Sequence, residues 1–349
     1  MAIGEAPNMH PTIIKNRKAL IAGLLLLLTL SVFSHTTFAG QATEVHIGLK
    51  IEQITGINQK QKNFAAVAAL RMNWTDPRLS FTPEPGETGH RTYTLPTLLK
   101  LLESKNIRWP AISYSNQQGR TAFESQVAQI SRDGTVNYME RFTATFQAPD
   151  FNFRLFPLDR QKFFIDVDSI FPEQDFVFRE LPGFSGMGPA LGVEEWMILD
   201  VRTEVAVQNH SGFDPGSRFT LIFEAERHLN YYIIRILIPV LLIITVSWFS
   251  FFLQDYTKRI DLAGANLLLF IAFNFTISND MPRLGYITLI DTFLVSTFIV
   301  TGLVILANVM LRRLENHGKR DIARKLDVYA IIGYPLAYLI GAIVLSILF

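Results

Sequence analysis

The sequence predicts a β-plus-α membrane protein, an extracellular immunoglobulin-like β-sandwich followed by a four-helix transmembrane domain. Three observations carry that prediction. Of 349 residues, 49% are hydrophobic and 18% charged, where a soluble chain carries about 25% charged residues. The last third holds four apolar segments, at 231–253, 260–278, 286–311 and 328–349, each long enough to cross a hydrocarbon core. Before them no such run occurs; apolar residues alternate with polar ones between clusters of Pro, Gly, Asn and Asp, the pattern of strands joined by turns.

At the N-terminus, residues 19–33 (ALIAGLLLLLTLSVF) follow Lys15, Arg17 and Lys18 and precede Thr37-Phe38-Ala39. That is the build of a secretory signal peptide over 1–39, the apolar run being short for a membrane anchor. Residues 40–229 read as one large sandwich of many short antiparallel strands, such as Val45-His46-Ile47-Gly48-Leu49. Within it, 95–104 has the spacing of a short surface helix and 82–89 (TPEPGETG) that of a turn-rich loop. Residues 230–349 form the transmembrane domain. Lys258 and Arg259 fall in its first connection, and Arg312, Arg313, Lys319, Arg320, Arg324 and Lys325 in its third, whereas the second offers Arg283. Positive charge marks the cytoplasmic side, so the protein is multi-pass in the inner membrane with residues 40–229 periplasmic or extracellular.

Several function classes are excluded early. Thirty-two basic residues against 31 acidic ones leave a formal charge of +1, which gives no general attraction to nucleic acid. With no cysteine, disulfide frameworks, thiolate metal sites and cysteine nucleophiles are ruled out. No HExxH, Walker loop or Cys/His metal spacing occurs, so neither cofactor nor metal is implied. Gly183-Phe184-Ser185-Gly186-Met187 is only a partial nucleophile elbow and reads as a turn; an enzyme is not indicated.

Alternating steps of four and three through the second apolar segment select Asp261, Ala265, Leu268, Ala272, Phe275 and Asn279 on one helix face. The other faces carry Leu262, Leu267, Leu269, Phe270, Ile271 and Phe273, suited to packing on neighbouring helices. A carboxylate such as Asp261 is costly in lipid and normally faces a bundle interior or water. Alternatively it is an interfacial residue that complements the positive end of the helix dipole. Repeated about a symmetry axis, the stripe becomes stacked rings: carboxylates at the cytoplasmic end, Leu268 and Phe275 as constrictions that close by dewetting, and Asn279 at the outer mouth. Arg235 and Asp291 are further intramembrane charges, read as interhelical or snorkelling contacts near the outer leaflet.

The segment 150–162 (DFNFRLFPLDRQK), with its Phe156-Pro157-Leu158-Asp159 core, resembles the signature loop of the pentameric ligand-gated ion channels, the Cys-loop receptor superfamily. Pro149 and Phe163 stand where animal members carry the disulfide cysteines, so the chain is similar to the cysteine-free prokaryotic branch. Further resemblances follow in order: Trp74-Thr75-Asp76-Pro77-Arg78-Leu79, Trp109-Pro110 followed by Asn116, Arg227, Tyr231-Tyr232, Pro239, and Ser278-Asn279-Asp280-Met281-Pro282-Arg283-Leu284. They cover residues 44–349. The resemblance implies a homopentameric ligand-gated ion channel, in contact with membrane lipids, whose agonist binds between adjacent β-sandwich domains and shifts the second helices from closed to open. The family's pore positions fall on the same six residues read from the stripe. An acidic ring at Asp261 would select permeant monovalent cations, although Lys258 and Arg259 stand together where many cationic members carry a glutamate before a single basic residue. A non-conducting, membrane-anchored small-molecule receptor is the alternative, and it would need no water-facing stripe.

In the family, aromatic rings hold a cationic amine agonist. Here three of those positions fall on Ala69, Ser115 and Ile170, leaving Tyr114, Phe171, Phe213 and Phe219, each of which sandwich-core packing would also explain. Asp168 sits where amine-activated bacterial members carry an acid, and its carboxylate next to Phe171 suits an ammonium group; an amine and a different small molecule both remain open as agonist. For coupling between the domains, the loop 58–62, Pro157 and Asp159 of the signature loop, and Arg227 should meet residues 281–285, which include Pro282 and Arg283.

Overall fold

Strict alternation makes the sandwich. In β6 (Thr135–Gln147), Val136, Tyr138, Glu140, Phe142, Ala144 and Phe146 are buried while the residues between them point outward. A computed structural model describes residues 42–189, 191–192, 194–209, 214–278 and 284–348, of which those from 43 onward belong to one unit. The proposed signal peptide, together with Phe213, Asn279, Pro282 and Arg283, lies outside the described residues. Two sheets face each other. The first runs β3 (His90–Thr94), β5 (Gln117–Ser131), β6, β2 (Asn63–Thr75), β1 (Thr43–Asn58), β8 (Phe176–Glu180), with β9 (Gly186–Met187) beside β1. The second runs β10 (Trp196–Gln208), β11 (Gly216–Arg227), β7 (Arg160–Pro172), β4 (Ile112–Tyr114). Phe64, Phe146, Phe163 and Phe223 interlock between them, with ring centres 4.9–5.5 Å apart along the contacts.

The strands correct the expectation of short antiparallel pieces. β1 runs for 16 residues, β5 for 15 and β11 for 12, and β1 pairs in parallel with both β8 and β9. Irregularities in β1 at Ile51/Gln53 and Ile54/Gly56 absorb breaks in alternation that otherwise read as strand ends. The short helix is Leu95–Ser104, with Leu98 and Leu102 buried one turn apart. The tryptophan-led motif on β2 is structural. Asp76 accepts the N–H of Arg78 at 3.0 Å and the Arg78 guanidinium as well, closing the turn Pro77–Leu79. Gly134 (φ +87°) passes so close that a Cβ there would lie 2.2 Å from the Asp76 carbonyl oxygen.

Among the described residues, four helices are long and apolar enough to span a membrane: Leu229–Ser250, Tyr256–Ser278, Leu289–Asn316 and Arg320–Leu348. Their ends differ from the hydropathy reading because caps and amphipathic turns extend helices past their apolar stretches. The second helix starts four residues early, where Asp255 accepts the Thr257 N–H at 2.8 Å, so Lys258 and Arg259 lie in its first turn and not in a connection. The third starts at a capping box in which Thr288 and Asp291 exchange hydrogen bonds, which corrects the interhelical reading of Asp291. The fourth starts at Arg320, not 328; Arg320, Arg324 and Lys325 occupy its first turns and Arg312 and Arg313 end the third helix, leaving 317–319 as the connection. In the first helix, residues Ile233–Leu237 widen into a π turn just before Pro239, whose ring would otherwise clash with the carbonyl four residues back.

Candidate functional site

The end of β11 is tied to its surroundings through one guanidinium. Arg227 has no exposed side-chain surface; its Nε donates to Asp159 at 3.0 Å, and its Nη1 to Glu195 at 2.7 Å and to the Tyr232 hydroxyl at 3.0 Å. Its cation lies 4.2 Å from the Trp196 ring centre and 4.8 Å from that of Phe156. Three of the elements predicted to meet do so around this group: Gln59 of the 58–62 loop donates to Glu195 at 3.2 Å, Phe156 and Asp159 come from the signature loop, and Arg227 ends β11. Tyr232 of the first helix joins them, which the sequence did not foretell, and positions 281–283 of the remaining predicted partner lie outside the described residues. The Asp159–Arg227 contact is buried on both sides. Glu195 escaped the sequence reading, since nothing distinguishes it from other loop acids until the fold brings it to Arg227.

The same loop reaches the third helix. The backbone N–H of Leu289, left without a partner inside its own helix, donates to the Arg154 carbonyl at 2.8 Å, and the Phe153 N–H donates to the Tyr286 hydroxyl at 3.0 Å. Pro157 lines an apolar cavity of about 560 Å³ with Leu155, Leu158, Ile236 and Phe293.

On the second helix, Asp261, Ala265, Leu268, Ala272 and Phe275 are all exposed in the single chain, Leu268 by 69% and Phe275 by 72%. The buried line is Arg259, Ala263, Asn266, Phe270 and Ile277. At about 100° per residue the two lines lie on opposite sides of the helix. Two of its buried side chains are polar and satisfied: Asn266 donates to the Ile243 carbonyl at 2.8 Å and to Ser247 at 2.6 Å, and Arg259 pairs with Asp327. The expected packing face is thus narrower and more polar than foreseen, and Leu269 remains 59% exposed.

The candidate agonist residues separate. Phe219 has no accessible surface and belongs to the core between the sheets, so it is withdrawn as a ligand contact. Tyr114 is half-buried; it donates to Glu140 at 2.6 Å, as Tyr138 also does, and burial followed by the Glu140 charge pushes its hydroxyl well above the ordinary value. Asp168 is buried against Arg218, which holds both its oxygens at 2.5 and 2.7 Å and also donates to Ser115 at 3.1 Å. The carboxylate set aside for an ammonium group is therefore already neutralised within the chain. Phe171 stays half-buried, with the Arg108 cation 5.9 Å from its ring centre. A residue the sequence reading missed, Arg71 on β2, stands 4.9 Å from the Phe184 ring centre in an outward groove of about 600 Å³ that Asn73, Gln129 and Asn137 also line. The period-two register, which puts Arg71 on the outer side with Asn73 and Thr75, was the available signal.

Asp166 shares Arg218 with Asp168 at 3.3 Å and accepts from Thr220 at 2.7 Å. Burial first, then the Asp168 charge, raises its carboxyl above the ordinary 3.8 despite those partners. A raised carboxyl favours folding in its protonated form, so its contribution is full below the unfolded value and is lost as pH rises through the folded one. Asp166→Asn is expected to stabilise the protein at pH 7 and to give no gain below about pH 4, read as thermal midpoints across that range; an equal effect at both ends would refute the burial argument.

Two family profiles match the chain, the neurotransmitter-gated ion-channel ligand binding domain over residues 33–177 and the neurotransmitter-gated ion-channel transmembrane region over 236–331. The chain belongs to the neurotransmitter-gated ion-channel family. Similar proteins include a proton-gated ion channel of Gloeobacter violaceus, 24% identical over 89% of this chain and 84% of that one. The rho-1 subunit of the human gamma-aminobutyric acid receptor is 23% identical over 77% of this chain and 56% of its own length, and the beta subunit of Caenorhabditis elegans 24% over 84% and 52%. The chain therefore spans little more than half the length of these animal relatives. This is a multi-pass ligand-gated ion channel, and not an enzyme.

Proposed function

We propose that the chain assembles as a homopentamer in the inner membrane, its sandwich outside, and that its second helices line a cation-selective pore opened by a small molecule bound between adjacent sandwiches. The single observation that carries the reading is the exposed line Asp261 to Phe275, set opposite the line that packs into the chain's own bundle. Fivefold rotation turns it into rings, and focusing by a ring of carboxylates at one mouth favours cations. A non-conducting receptor would have no use for a carboxylate on that face.

For the agonist, the pairing of Asp168 with Arg218 argues against a bare ammonium held there, and Arg71 in its outward groove suits a ligand with an anionic group. Two relatives are named for gamma-aminobutyric acid, which carries a carboxylate, and one for protons. Purified protein in planar bilayers, exposed to protons, gamma-aminobutyric acid and simple amines in turn, tests the reading; absence of current under every condition, with binding retained, would favour the receptor. Asp261→Asn should reduce cation preference and Asp261→Lys reverse it, measured as reversal potentials in a salt gradient. A reversal potential indifferent to both removes Asp261 as the selectivity ring.

A further inference from the structure

The second helix carries two adjacent cations, Lys258 and Arg259, at the mouth where Asp261 is proposed to select. Only one of them faces outward. Arg259 is 4% exposed and each nitrogen of its guanidinium is engaged: Nη1 and Nη2 donate to the two oxygens of Asp327 at 2.5 and 3.0 Å, Nε donates to the Leu253 carbonyl, and the group lies 4.7 Å from the Tyr256 ring centre. Asp327 belongs to the fourth helix, which buries only Ala323 and Tyr334 among its described residues and is otherwise hydrogen-bonded to the first helix, from Trp248 to the Ile331 carbonyl and from Tyr334 to the Ile244 carbonyl. Two residues along a helix turn by about 200°, so Arg259 and Asp261 point to opposite sides.

We propose that Asp327 is a selectivity-determining positioning residue: by holding Arg259 in a bidentate pair on the bundle side, it keeps that cation off the conduction path and leaves Asp261 to set the charge of the mouth. The inference rests on the pore reading of the Asp261 face. A bidentate carboxylate fixes the direction of the guanidinium as well as cancelling its charge, which a neutral amide does not do. Once Asp327 loses its charge, Arg259 is an uncompensated buried cation beside a wet mouth, and turning toward water and Asp261 relieves it. Lys258 is unchanged in every variant below and drops out of the comparison.

The test compares reversal potentials in a sodium chloride gradient for the full-length channel and for D327N, R259Q/D327N and D261N. D327N should lower the cation-to-anion permeability ratio about tenfold, the effect of one released charge per subunit at roughly 10 Å in a medium of intermediate dielectric. R259Q/D327N, which removes both charges, should restore the ratio of the unaltered channel. A purely structural tie would change current amplitude or yield and leave the reversal potential in place; that result for D327N overturns the proposal. So does a shift that persists in R259Q/D327N, because it cannot pass through Arg259. If D327N forms no channels, R259Q/D327N decides alone, a ratio lowered several-fold counting against the proposal and an unaltered one supporting it. D261N separates the two readings: no shift there removes the pore reading, whereas a shift in D261N with none in D327N removes only the role of Asp327.

Discussion

Leu268→Ser is expected to produce a standing current before any agonist is present and to lower the agonist concentration for half-maximal current at least tenfold. Leu268 sits midway along the exposed line, 69% accessible in the single chain, with Ala265 and Ala272 a turn away on either side. Between two alanines it stands out from the stripe, and in the proposed ring it forms, like Phe275, a constriction of the pore. A pore that narrow and that apolar closes by expelling water, without any plug. Wetting one leucine side chain costs about 1.5–3 kcal/mol, and serine removes that cost in every subunit. A bias of only about 1.4 kcal/mol between closed and open already changes their ratio tenfold, so even partial transmission gives a visible leak. Leu269→Ser is the control: it is comparably exposed, at 59%, but about 100° round the helix. If both variants leak equally, or neither does, the line through Leu268 is not the pore face.

Much of this architecture could be read from residue order alone. The four membrane segments were legible because about 20 apolar residues in succession have few other uses, and the short helix 95–104 because Leu98 and Leu102 recur at one turn. What hydropathy could not place were the helix ends. Arg320 to Asp327 is amphipathic and polar, so an apolar window discards it, yet it makes the first two turns of the fourth helix and carries the carboxylate that meets Arg259. Strand lengths were missed for a related reason: an irregularity shifts alternation by one residue, and the sequence then looks as if the strand had stopped.

Site residues divide along the same line. The Asp261 stripe was legible because helical periodicity fixes which side chains share a face without help from the rest of the fold. The agonist candidates were not, because an aromatic residue on a strand looks alike whether it fills a core, as Phe219 does, or stays half-buried at the surface, as Phe171 does. Asp168 was singled out as the acid for an ammonium group, but its partner Arg218 lies 50 residues away on the neighbouring strand, and only the register of β7 against β11 shows that the charge is spoken for. Glu195 and Arg71 needed the same kind of information.

Arg227→Met is the substitution from which the largest loss of stability is expected. Methionine keeps most of the volume among Trp196, Phe156 and Tyr232 but leaves Asp159, 2% exposed, without its cation. Breaking a buried pair from one side costs about 3–5 kcal/mol, because the remaining charge has no water to return to. Glu195 escapes that penalty: its side chain is 44% exposed and can be hydrated where it stands. The asymmetry makes the prediction specific. Asp159→Asn combined with Arg227→Met should recover a good part of the loss, whereas Glu195→Gln combined with Arg227→Met should recover little, with thermal unfolding in detergent as the measurement. Arg227→Lys should fall between, since an ammonium reaches one carboxylate but cannot span Asp159, Glu195 and the Tyr232 hydroxyl with a fixed fork. If Arg227→Met unfolds within a degree or two of the unaltered protein, the guanidinium is not what ties the sandwich to the first helix, and the interlock between Arg154 and the start of the third helix would have to carry that connection instead.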